Sequence, residues 1–89
     1  MTEMRKFNIR GVSVLMPENE AMKFNAILSK SSDQPELGTM IAVDENGLIN
    51  SFSPGPNVSW GLIFFIQNLM ISQRLYLIDS FLMKNGAIK

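Results

Sequence analysis

Apolar and polar positions alternate from Phe7 to Met16, and this period of two predicts an extended strand. Phe7 and Ile9 share one face of it, while Val12, Val14 and Met16 share the other. The apolar phase therefore flips between Arg10 and Gly11. A β-bulge at the glycine produces such a slip; two short strands meeting at a kink produce it equally well. Pro17-Glu18-Asn19-Glu20 then suits the start of a helix, because proline fits the first turn and acidic groups complement the helix dipole. Ala21, Phe24 and Leu28 follow at helical spacing, with Lys30 at the far end. Met22, Phe24, Ala26 and Leu28 also alternate with polar neighbours as a strand would. The charges at both ends favour the helix.

Ser31 to Glu36 is a loop by composition. Thr39 to Val43 and Leu48 to Phe52 are β-prone runs flanking Asp44-Glu45-Asn46-Gly47, which predicts a β-hairpin with Gly47 at a positive φ. The acidic turn superficially resembles a calcium loop, but it lacks EF-hand spacing and the closing glutamate. Two prolines flanking a glycine in Ser53-Pro54-Gly55-Pro56-Asn57 stop any regular element. A long helix is expected from Val58 to Lys84, with Asn57 or Ser59 as N-cap and Gly86 placed to end it. The order strand–helix–strand–strand–helix gives one α+β domain over residues 1–89. Its antiparallel sheet, strand plus hairpin, is covered by the long C-terminal helix.

At 100° per residue that helix carries two apolar stripes. Trp60, Ile63, Phe64, Ile71, Leu75, Ile78, Phe81 and Leu82 form one, assigned here to the sheet. Leu62, Phe65, Ile66, Leu69, Tyr76, Leu77 and Met83 form the other. A helix covering a three-stranded sheet needs only one stripe, so the second either packs beneath the first helix or meets another copy of the chain. A small domain buries a modest share of its surface, about 60%, and a chain without cysteine cannot add disulfides. A homo-oligomer is therefore expected, with Leu62, Phe65, Leu69 and Tyr76 as its contact. On that assignment, lysine at positions 65 and 69 would leave a folded single chain.

Composition narrows the chemistry. Eight basic and eight acidic residues give a formal net charge of zero, and cysteine and histidine are both absent. Thiolate nucleophiles, Cys/His zinc sites and serine–histidine triads are thereby excluded, and no metal or cofactor is expected. Glu18 with Glu20 and Asp44 with Glu45 are carboxylate pairs, but a helix start and a turn are ordinary places for solvated charge. The chain reads as a non-enzyme. Arg5, Lys6 and Arg10 interleave with Phe7, yet a neutral protein lacks the electrostatic footprint of a nucleic-acid binder, so that partner is not expected. The seven methionines fill core gaps more often than they form a recognition surface. The start has no signal-peptide pattern, and Gln67-Asn68 interrupts the longest apolar run, so a cytoplasmic protein without a membrane span is expected.

Two functions follow. The first is a non-enzymatic, self-associating protein that binds a macromolecular partner as an inhibitor or adaptor, in the manner of small accessory proteins of phages and mobile elements. The second is an oligomeric binder of a phosphorylated, nucleotide-like ligand. Its candidate site is Gly55, Asn57, Ser59 and Trp60, where a helix N-terminus offers amide donors, glycine allows close approach and an indole can stack. Against it, neither a P-loop nor a dinucleotide fingerprint is present, and the prolines remove donors.

Overall fold

Two β-hairpins and a short helix fold against one side of a long helix in the computed structural model, which describes residues 3–29 and 38–84. The order is β1 (Met4–Ile9), β2 (Val12–Pro17), α1 (Glu18–Ser29), β3 (Met40–Val43), β4 (Ile49–Ser53) and α2 (Trp60–Lys84). The α+β class and the long C-terminal helix are as the sequence predicts. The sheet is not a single three-stranded one: β1 pairs with β2 and β3 with β4, in two separate antiparallel ribbons.

The first ribbon corrects the strand expected from Phe7 to Met16. Ile9 pairs with Val12 and Phe7 with Val14 across a two-residue turn. Arg10 and Gly11 both have positive φ, 53° and 87°, as a type I′ connection requires. The Gly11 amide donates to Asn8 Oδ1 at 2.9 Å. The phase flip now has a cause. Residues three apart face opposite ways along one strand, but across a two-residue turn they are partners on one face. Arg-Gly is a poor advertisement for that turn, which usually carries Asn-Gly.

The second hairpin forms where expected, with a register irregularity between Ala42 and Val43. Asp44 organises its turn: Oδ1 accepts from the Asn46 amide at 2.8 Å and the Leu48 amide at 3.0 Å. Gly47 has φ +85°, and its carbonyl accepts from the Leu15 amide of β2 at 2.9 Å. A Cβ at position 47 would lie 2.8 Å from the Leu15 nitrogen, so glycine is required by space as well as by φ. This contact seats the tip of one hairpin on the other.

Helix α1 follows β2 directly and buries Ala21, Phe24 and Leu28, the helical reading of that segment. Ile9, Val14, Met16, Ile49, Leu62, Ile66 and Leu69 complete the core, and the Phe24 and Phe65 rings lie 5.0 Å apart. Helix α2 begins at Trp60, not Val58. Ser59 is its cap, since its Oγ accepts from the Leu62 amide at 3.2 Å. The expected stop at Gly86 and the Ser31–Glu36 loop lie outside the described residues.

One buried polar side chain joins these parts. Gln73 on α2 accepts from the Ile49 amide at 2.9 Å, and its Nε2 donates to the carbonyls of Leu15 at 2.8 Å and Gly47 at 3.1 Å.

Two outcomes follow from these contacts. Gly47→Val should cost more than Gly11→Val in urea-midpoint measurements: both incur the strain of positive φ, about 1–3 kcal/mol, but a Cβ at Gly11 meets no atom within 4 Å. Gln73→Leu should lose about 1–3 kcal/mol, because it strands the buried Ile49 amide. Equal stability to wild type would mean that the Gln73 contacts contribute nothing.

Candidate functional site: the outer face of the long helix

The inner face of α2 is a row at spacings of four, three and four residues: Leu62, Ile66, Leu69 and Gln73, all buried. Phe65 flanks it, half-buried against Phe24. These positions include Leu62, Phe65 and Leu69, which the sequence reading places at an oligomer contact. The structure puts them inside a single chain, and leaves Tyr76, 40% exposed, on the flank. The stripe assigned to the sheet is instead outside: Phe64 is 56% exposed, Ile71 54%, Leu75 62% and Ile78 56%. The two stripes exchange roles.

The reason is physical. Periodicity separates two faces of a helix but does not say which one meets the globule. The polar interruptions lie mostly on the outer side, at Gln67, Asn68 and Arg74, whereas the inner row is apolar until it ends in Gln73. Gln73 nevertheless belongs there, because three backbone groups of the hairpins wait for its amide. Nothing local to α2 reports those groups.

Beyond Gln73 the helix leaves the globule. Every residue from Arg74 to Phe81 is exposed, and the molecule measures 50 × 22 × 21 Å. The segment Trp60–Leu82, with mean hydropathy 1.3, is long and apolar enough to cross a membrane, which corrects the expectation that it falls short. At its other end, the exposed Trp60 indole stacks on Phe64 with ring centroids 5.8 Å apart. The outer face thus carries a row of large exposed apolar side chains, interrupted by Gln67 and Asn68. A solvated monomer rarely carries one without use.

The other candidate residues are placed less productively. Gly55 donates its amide to Thr39 Oγ1 at 2.9 Å, and Ser59 is occupied as the helix cap. Asn57 is exposed, and Trp60 turns along the helix toward Phe64. None of these four lines the cavity of about 240 Å³ between the hairpins and α1, which is walled by Ile9, Val14, Phe24, Leu28, Ile41 and Leu62 among others. That cavity is oily, with Arg10 and Thr39 its polar members.

The basic cluster is largely engaged within the chain. Arg5 pairs with Glu18 at 2.8 Å and lies over the Phe7 ring, while Lys6 donates to the Glu45 carbonyl at 2.9 Å. Three of the four candidate carboxylates are engaged as well: Glu18 takes Arg5, Glu20 faces Lys23 at 3.5 Å, and Asp44 holds its own turn.

No protein family, curated protein or solved structure matches the chain. Function has to be read from the outer face itself.

The exchange of stripes makes a sharp prediction. Lysine at both Phe65 and Leu69, which the sequence reading expects to be harmless to folding, should abolish the native circular-dichroism signal, because charge would enter the core. Lysine at Leu75 should leave that signal intact. The opposite pattern would mean that the inner face has been misassigned.

Proposed function

We propose that this is a non-enzymatic, self-associating protein of the cytoplasm that acts by binding a macromolecular partner, as an adaptor or inhibitor. The observation that carries this reading is the row of large, more than half-exposed apolar side chains on α2, turned away from the core. Fully burying each one is worth about 1.5–3 kcal/mol, and symmetry multiplies the gain by the number of copies. The engagement of Glu18 and Glu20 in ion pairs and of Asp44 in turn hydrogen bonds supports a role without catalysis.

Another copy of the chain fits this face better than lipid does. The hairpins and α1 are attached to α2 through Leu62, Ile66, Leu69 and Gln73, so one side of its first half is already occupied by protein. The projecting part from Arg74 to Lys84 is about 16 Å long, roughly half of a 30 Å hydrocarbon layer. Its exposed residues include Arg74 and Asp79.

Light scattering at micromolar concentration tests the reading. The expected mass is a multiple of 10.0 kDa for the wild type, falling to 10.0 kDa in a folded Ile71→Lys, Leu75→Lys double variant. A wild-type mass of one chain would overturn it. Co-flotation with phospholipid vesicles would favour a membrane role instead. A rise in melting temperature with nucleotides would favour the ligand loop at Gly55–Trp60.

A further inference from the structure

We propose that the outer face of α2 is a heptad seam that joins three or four copies of this chain as a parallel, in-register helical bundle. Asn68 forms its polar layer, and Arg74 of one copy pairs with Asp79 of the next. The proposal rests on the self-association reading and adds direction, register and a charge pairing to it.

The frame is in the spacing. Gly61, Phe64, Asn68, Ile71, Leu75, Ile78 and Leu82 recur at alternating intervals of three and four residues over three heptads. Gly61, Asn68, Leu75 and Leu82 take the a positions, and Phe64, Ile71 and Ile78 take the d positions. Leu82 is half-buried and the other six are exposed. At 100° per residue this seam lies roughly 160° round the helix from the inner row. The hairpins and α1 therefore sit on the outside of such a bundle and do not obstruct it.

Charge sets the direction. In this frame Arg74 is a g position and Asp79 the following e position, five residues later. Parallel, in-register helices bring g of one chain to that e of its neighbour, whereas antiparallel helices bring g to g and e to e. Arg74 and Asp79 attract in the first arrangement and meet their own kind in the second. Within one helix, residues five apart point about 140° away from each other. Among the described residues neither side chain has an ion-pair partner.

Register and number follow from the layers. A single asparagine at an a position fixes which layers align, since its amide is satisfied only by its counterpart. Leucine at a with isoleucine at d favours more than two strands. Trp60, at the g position stacked on Phe64, widens the apolar face as a larger bundle needs. Parallel strands place every globular head around the same end. A partner with repeated sites then meets several heads at once, and linked sites of this kind commonly gain 10²–10⁴ in avidity.

The absence of cysteine makes the test direct. Asn68→Cys and Ile78→Cys are prepared separately, then oxidised alone and as a mixture, beside a light-scattering mass for the wild type. The expected result is a wild-type mass three or four times 10.0 kDa, with each variant cross-linking to itself. Arg74→Glu and Asp79→Arg should each lower the associated fraction, and mixing the two should restore it. Cross-links found only in the mixture of the two cysteine variants mean antiparallel helices: self-association stands and this proposal falls. A multiple mass with no cross-link in any sample also overturns it, placing the contact elsewhere. A wild-type mass of 10.0 kDa removes the self-association reading and this proposal together.

Discussion

The side-chain amide of Gln73 is the constraint on which the arrangement depends. It is buried, and it spends its oxygen on the Ile49 amide and its nitrogen on the carbonyls of Leu15 and Gly47. Leu15 belongs to β2 and the other two groups to the second hairpin, and the two ribbons share no ladder with each other. Two isolated two-stranded ribbons are marginal structures in water. Each gains order here because α2 holds both at one point, and because the Gly47 carbonyl also takes the Leu15 amide. An unpaired buried amide is costly, so the rotation of α2 about its own axis is not free.

Fixing that rotation divides the apolar surface of α2 into two halves with different fates. Leu62, Ile66 and Leu69 lie on the same row as Gln73 and enter the core. Phe64, Ile71, Leu75 and Ile78 are carried to the opposite side and remain in solvent. The opposite side of the same stretch carries Gly61, Gln67 and Asn68 beside Phe64 and Ile71. A helix rotated by half a turn would therefore bury less hydrocarbon, and would leave the Ile49 amide and the Leu15 carbonyl without the Gln73 side chain. Hydrophobic burial and hydrogen bonding thus select the same face. The outer strip is the consequence.

Much of the fold is legible along the chain. Acidic residues behind Pro17, apolar residues at 21, 24 and 28, and the Asp44–Gly47 turn each declare a local element, because each rests on contacts a few residues apart. The first hairpin is half legible. The phase flip at Arg10-Gly11 announces a break, but a bulge and a two-residue turn leave the same trace until the pairing of Ile9 with Val12 is known. The candidate site is less legible still. Residues of both faces can be named from periodicity, and the sequence reading names them with the faces transposed.

The sequence by itself therefore determined the α+β class, the second hairpin, the need for glycine at position 47 and the two-sided character of the last helix. These follow from local dihedral preference and from spacing at periods of two and 3.6 residues. Only the tertiary structure decided that Leu62, Phe65 and Leu69 lie inside and that Phe64, Ile71, Leu75 and Ile78 lie outside. The deciding contacts join residues 24 to 58 positions apart in the chain. No window along α2 contains the hairpin groups that Gln73 satisfies; within α2 only the polar interruptions at Gln67, Asn68 and Arg74 set the outer stripe apart from the inner one.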